Sequence, residues 1–250
     1  MRRNKKVFAI GDLHKDKHID IKPVLKFVVD WSPDIIIFGG DMADLDYLSH
    51  WNSENFKNIG FDTINKQLLK DAAALREVLK QFMDAGKPKE SYYIEGNHER
   101  WVTQYLTKYP QVHDMSFKSL LRLQGLHIKW IPMENNVKIG KQVFVHGQQY
   151  GTENPAKQAI VRSHRNVVMF HHHKHVEWAG FSDLDSHDKT RSVCVPCFCN
   201  RAPLYLKGRA NAWSNGFYTS IVKPSGNFTS WITETSAKGH FLTPDGKEYK

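Results

Sequence analysis

The residues whose types and spacing could do chemistry are Asp12 with His14, Asp41, Asn97 with His98, His146, and the run His171, His172, His173 and His175. Oxygen and imidazole donors, with no thiolate among them, suit divalent transition metals such as manganese, iron or zinc. Asp12 and His14 are two apart, so extended backbone puts both side chains on one side, where they can grip a single ion. The same spacing joins His171 to His173, and His173 to His175. Asp41 arrives alone, as a carboxylate bridging two ions would, and Asn97 and His146 could complete the second ion. Two ions about 3.5 to 4 Å apart clamp the attacking and leaving oxygens of a phosphoryl transfer, and lower the pKa of bound water from 15.7 toward about 7. The nucleophile expected is therefore metal-bound hydroxide.

These residues can act together only if the elements carrying them converge. Each follows a short apolar run: Lys6 to Ile10, Asp34 to Phe38, Ser91 to Ile94, Val143 to Val145 and Val167 to Phe170. Such runs breaking into Gly-Asp or Gly-Asn read as buried strands ending in loops. In open α/β sheets ligands gather beyond the carboxyl ends of strands. Ile21 to Trp31 reads as a helix between the first two strands, which makes a right-handed crossover unit. Leu68, Ala72, Leu75, Leu79 and Phe82 form the stripe of a helix from Asn65 to Gly86. Helix is expected again from Trp101 through Leu123 with a break near Pro110, and from Pro155 to His164. Further strands are expected at His127 to Ile131, Gln142 to Val145, Val193 to Phe198, Phe217 to Val222 and Phe228 to Thr233, with Pro224-Ser225-Gly226-Asn227 as a hairpin turn. Alternating α and β followed by a β-rich third implies two sheets packed face to face with helices outside. No linker composition divides residues 1–250, so one domain is expected.

Together Gly11-Asp12-Leu13-His14, Gly40-Asp41-Met42-Ala43-Asp44, Gly96-Asn97-His98-Glu99, Val145-His146-Gly147 and the late histidines resemble, in residues and in order, the calcineurin-like metallophosphoesterases. The resemblance implies a four-layer α/β/β/α sandwich of two mixed sheets flanked by helices. It implies one metal on Asp12, His14, Asp41 and His173, and the other on Asp41, Asn97, His146 and His171. The ions expected are manganese first, with iron, zinc, nickel or cobalt as alternatives. It also implies that His98 contacts the phosphate and protonates the leaving group, with Asp44 in support. The family's last motif is Gly-His-any-His, and here Phe170 or His172 stands where the glycine would be. The pair His171 and His173 follows its strand directly; His173 and His175 satisfy the same alternation. The tail, with Cys194, Cys197 and Cys199 and then Asn211 to Phe217, is similar to a subset of small phage and bacterial phosphoesterases.

A formal net charge of +9 draws anionic partners through a field that salt screens, or serves solubility alone. Arg100 could fork onto a substrate phosphate or begin a solvated helix. Tyr205, Lys207 and Arg209 mix rings with cations, as single-strand binders do, or form an exposed basic loop. The three cysteines make no disulfide framework, which fits a reducing interior such as the cytoplasm. They read as a buried strand rather than a zinc site, which wants four ligands. Ser163 beside His164 carries no triad, because a triad is spatial. The apolar run after Lys6 is too short for a secretory core, and no stretch reaches membrane-spanning length. The expected activity is phosphodiester hydrolysis on nucleic acid or nucleotides. The alternatives are a phosphomonoesterase or protein phosphatase, and a nucleic-acid-binding scaffold that has lost catalysis.

Overall fold

The computed structural model describes residues 3–15, 17–49, 60–109, 116–181, 189–201 and 211–250. Strands β1 (Lys5–Ile10), β2 (Ile35–Phe38), β3 (Glu90–Ile94) and β4 (Lys129–Ile131) pair in parallel, and β10 (Asn215–Val222) and β11 (Phe228–Thr235) join antiparallel beside β1. This sheet runs β11-β10-β1-β2-β3-β4. A second runs β5-β6-β7-β9-β8, built from Val137–Ile139, Gln142–Val145, Asn166–Met169, Lys189–Cys194 and Val176–Phe181. Within it β6 and β7 are parallel, as are β7 and β9. A small β12 (Phe241–Leu242) and β13 (Glu248–Tyr249) ribbon packs on the outer helix layer.

The layers follow from period-two alternation along buried strands. Phe8, Ile10, Ile36 and Phe38 face helices α1 (Lys22–Trp31) and α2 (Phe61–Gly86), meeting Val24, Phe27, Leu75, Leu79 and Phe82. Their neighbours Val7, Ala9, Ile35 and Ile37 face the other way, onto Phe144, Val168 and Val193 of the second sheet. The far side of that sheet buries Val145, Val167, Met169 and Cys194 under Ala156 and Ala159 of α5 (Pro155–Ser163). Helix, sheet, sheet, helix is the expected sandwich. Each wholly buried Leu or Phe in these layers contributes about 1.5–3 kcal/mol of transfer free energy.

Several boundaries differ from expectation. α2 begins at Phe61 rather than Asn65, with Gly60 extended at its cap. The helix expected from Trp101 begins at Asn97 as α3 (Asn97–Lys108), and a separate α4 (Phe117–Leu121) follows; Pro110 lies outside the described residues. The strand expected from His127 starts at Lys129, because His127 sits at φ 54° closing the turn Leu123–Leu126. The strand expected over Val193 to Phe198 stops at Cys194. Pro196 has no N–H for a ladder, and the Cys197 N–H turns to the Ser214 carbonyl at 3.1 Å. The Pro224 to Asn227 turn is observed, with the Lys223 N–H on the Asn227 carbonyl at 2.7 Å. β5, β12 and β13 are too short to show a period.

Candidate metal centre

Because β1, β2 and β3 are adjacent and parallel, their carboxyl ends open on one edge of the first sheet, and β6 and β7 open beside it. Backbone hydrogen bonds tie these ends together. The N–H groups of Asp12 and His14 donate to the carbonyls of Gly40 and Asp41, each at 3.0 Å. From the second sheet, the His171 N–H donates to Asp12 Oδ2 at 2.8 Å. Phe170, directly before His171, is accommodated by two glycines: a Cβ on Gly11 or Gly39 would fall 2.5 or 2.3 Å from its ring.

The turns are strained. Asp12, His14, Asp41, His171 and His173 have φ of 48, 45, 49, 73 and 56°. Left-handed backbone at a non-glycine residue costs of order 1–3 kcal/mol and persists where its surroundings over-determine it, commonly at functional sites. Gly40, at φ 91°, is a glycine for a second reason: its Cβ would stand 2.6 Å from His146 Nδ1.

The side chains aim at common points. His14 Nε2 lies 3.3 Å from His173 Nε2, and His173 Nε2 lies 3.4 Å from Asp12 Oδ1. His146 Nε2 lies 3.2 Å from Asp41 Oδ2 and 3.0 Å from Asn97 Oδ1. The other nitrogen of that ring, Nδ1, is 2.8 Å from the Gly39 carbonyl, a contact that orients the imidazole. The His171 ring stands 5.1 Å from that of His146. Asp41 belongs to two groups of donors: ligand atoms of His14, Asp41 and His98 lie within 4.8 Å of one another, as do those of Asp41, His146 and His171.

Electrostatics follow from this crowding. Burial works to raise the Asp12 and Asp41 carboxyls, but the His173 and His146 imidazoles outweigh it and hold both below the ordinary carboxylate range. Burial works to lower His146, yet the Asp41 carboxylate raises it to about 9. His171, buried and beside His146, falls to about 3. Among the described residues, nothing hydrogen-bonds to Asp12 Oδ1 or to the Nδ1 atoms of His171 and His173, all of them buried, a costly arrangement unless something else satisfies them. The Asp12 oxygen left over in this way, beside the His173 Nε2, is the kind of donor a divalent cation takes.

The remaining predicted residues divide. Asp44 supports two rings: its carboxylate is 3.4 Å from His14 Nδ1, and its carbonyl accepts from His98 Nδ1. His98 lies beside the cluster, its N–H on Asp41 Oδ1 at 2.9 Å and its ring 4.0 Å from Trp101. Arg100 pairs with Glu134 at 2.8 Å and Glu95 at 3.6 Å. His175 turns away, 2.8 Å from Glu234 and 3.2 Å from Glu177, so of the two registers His171 with His173 is the pair brought to the cluster. Tyr205, Lys207 and Arg209 lie outside the described residues.

Glu99 was not singled out from the sequence. It is wholly buried and accepts from the N–H groups of Asp41, Met42, Ala43 and Gly96 and from the Tyr93 hydroxyl. It therefore clamps the turn presenting Asp41 to the start of α3. A glutamate three residues after a helix-opening glycine is the readable signal. Cys199 and Trp213 were noticed only as parts of a tail. A Cys199 ligand atom lies within 4.8 Å of those of His14 and His173, and the Trp213 ring stands 4.2 Å from that of His173.

The profile of the calcineurin-like phosphoesterases matches residues 5–201, and the chain belongs to that family. It is accordingly a metal-dependent phosphoesterase, a hydrolase of phosphoester bonds. It is similar to the gene 54 proteins of Mycobacterium phages D29 and L5, at 25% identity over 232 residues and 24% over 229. Each alignment covers 86% of this chain and 88% of the relative. Among solved structures, Vps29 of Chaetomium thermophilum is similar with a TM-score of 0.44 and 11% identity, over 93% of this chain and 99% of that one. No helix among the described residues is long and apolar enough to cross a membrane.

Proposed function

We propose that the chain hydrolyses a phosphodiester of nucleic acid or a nucleotide at a dinuclear centre. The observation that carries this reading is the double membership of Asp41, whose carboxylate stands among His14 and His98 on one side and His146 and His171 on the other. Asp12, His14, Asp41 and His173 would hold one cation, and Asp41, Asn97, His146 and His171 the other. Manganese is the first candidate for both, with iron, zinc, nickel or cobalt as alternatives. Bound divalent ions supply Lewis acidity and a nucleophile at neutral pH.

The chain's own residues do the rest. The Gly39 carbonyl and the Asp44 carboxylate orient His146 and His14 from outside the cluster. His98 is held through Nδ1–H by the Asp44 carbonyl, which leaves Nε2 toward the centre, where the doubly protonated ring would give its Nε2 proton to the departing oxygen and become neutral. Trp101 packs on the His98 ring, with centroids 4.0 Å apart. Arg100, already engaged by Glu95 and Glu134, adds positive charge at the margin rather than a direct grip.

Three features favour a nucleotide-bearing substrate. The chain carries +9 formal charge, and half-buried Trp101 and Trp213 stand on either side of the centre against His98 and His173. Indole faces stack bases without sequence preference. Residues 1–250 act as one domain, since β10 from the tail pairs with β1. The three closely spaced cysteines favour a reducing interior such as the cytoplasm, and the phage relatives favour a phage-type enzyme.

The test compares turnover of a chromogenic diester, a chromogenic monoester and single-stranded DNA with manganese added, in the wild type and in Asp41→Asn. Diester and DNA turnover that disappears in the variant, with the fold retained by circular dichroism, is the expected result. Dominant monoester turnover discards the nucleic-acid reading in favour of a phosphomonoesterase. Full activity in Asp41→Asn refutes the bridge.

A further inference from the structure

We propose that Cys199 supplies a thiolate to one metal of the centre, alongside His14 and His173, so that the two positions differ in softness. The proposal rests on the dinuclear reading above.

The three cysteines have different surroundings. Cys194 packs in the apolar cluster beneath α5. Cys197 places its sulfur 3.3 Å from the Ser214 carbonyl. Cys199 belongs to none of the apolar clusters among the described residues, although it is only 3% exposed. Its sulfur instead lies within 4.8 Å of ring nitrogens of His14 and His173, themselves 3.3 Å apart. Ligands on one tetrahedral zinc, with bonds of about 2.3 Å to sulfur and 2.0–2.1 Å to nitrogen, stand roughly 3.5 Å from each other.

A second observation points to a ligand at the same place. Asp12 is wholly buried, and its Oδ1, 3.4 Å from His173 Nε2, has no hydrogen-bond partner. A cation held by Oδ1 and the His173 imidazole, beside His14 and the sulfur, would satisfy it.

The backbone also fixes Cys199. The preceding Phe198 N–H donates to the Asp12 carbonyl at 3.1 Å, which ties this segment to the loop carrying Asp12 and His14. Asn215 Nδ2 donates to the Cys199 carbonyl at 2.6 Å, and the Ser214 N–H donates to the His173 carbonyl at 2.9 Å. Cys199 and His173 are thus anchored on the same short stretch, Ser214 to Asn215. A thiol needed only as a small apolar filler requires no such placement against imidazoles.

A thiolate biases this position toward zinc, iron(II) or cobalt over manganese, while the position on Asn97, His146 and His171 keeps oxygen and nitrogen donors only. The experiment is cobalt(II) titration of metal-stripped protein, followed by absorption spectroscopy. Expected are visible ligand-field bands together with a near-ultraviolet thiolate-to-cobalt charge-transfer band. That band should persist in Cys194→Ser/Cys197→Ser, where Cys199 is the only thiol, and vanish in Cys199→Ser. Zinc affinity of Cys199→Ser should drop roughly tenfold or more, since even partners behind a ligand are worth about 10–100-fold, with manganese affinity changed much less. Ligand-field bands without charge transfer in the wild type, or charge transfer surviving in Cys199→Ser, overturn the thiolate alone. Absence of any cobalt spectrum in the wild type overturns the metal-centre reading, and the thiolate with it.

Discussion

At the scale of single residues, Asp41 can face both sides of the centre because Glu99 holds the turn beneath it. Every group on the Glu99 carboxylate is a donor: four backbone N–H groups and one hydroxyl. In Glu99→Gln, an amide NH₂ replaces one acceptor and faces donors that have nowhere else to go. Hydrogen bonds to a charged group are worth about 1.5–3 kcal/mol each, so we expect a loss of about 2–3 kcal/mol in urea unfolding, together with weaker metal binding. Wild-type stability in that variant would show that the clamp contributes nothing.

His146 makes a pH prediction at the same scale, for metal-free protein. Its imidazole is raised to about 9, above the ordinary value of 6.5, with Asp41 outweighing burial. The proton is bound more tightly in the folded chain. The stabilisation it brings is therefore complete below about pH 6.5 and is lost as the pH climbs through about 9. A cation must displace this proton, so metal affinity should increase over the same interval. Thermal melts of stripped protein from pH 6 to 9.5 should show a declining midpoint that flattens in His146→Asn; an unchanged slope in that variant would assign the decline to another group.

At the scale of elements, the site lies at the carboxyl ends of the first sheet's strands, while the largest side chains of the main core pack against the face of that sheet. Phe82 of α2 is fully buried, 6.0 Å from the Phe8 ring and 5.9 Å from that of Phe38, in the helix layer. Phe82→Ala should cost about 3–5 kcal/mol, the usual loss for emptying such a position. The strand ends that carry Asp12 and Asp41 stay in register, so kcat below the new melting point should hardly change. A collapse of kcat with little loss of stability would mean that α2 positions the site directly. The stripe of α2 was legible in the sequence, because a helical period is a local property. Its start was not: Ile64, four residues before Leu68, continues the stripe, but the helix opens on Gly60, whose cap carries no side-chain hydrogen bond to mark it.

At the scale of the whole molecule, the +9 formal charge distinguishes a polymer substrate from a small one. A polynucleotide releases counterions when lysines and arginines meet its phosphates, so log(kcat/KM) should fall linearly with log[salt]. A small chromogenic diester, with one charge, should show a much weaker dependence. Equal slopes for both substrates would leave the charge to solubility.

By itself the sequence determined, to within a residue, where the strands that carry the site end and which donors follow them, because apolar runs broken by glycine, and the chemistry of aspartate, asparagine and histidine, can be read from neighbouring residues. It also determined the four layers, from the order of those runs. Only the tertiary structure decided that β10 returns beside β1, that His175 turns to Glu177 and Glu234 while His171 and His173 meet the cluster, and that Glu99 and Cys199 stand where they do. The physical reason is distance along the chain. Cys199 approaches His14 from 185 positions along the chain, a proximity that no local period records, and a carboxylate's worth depends on which N–H groups a distant turn aims at it.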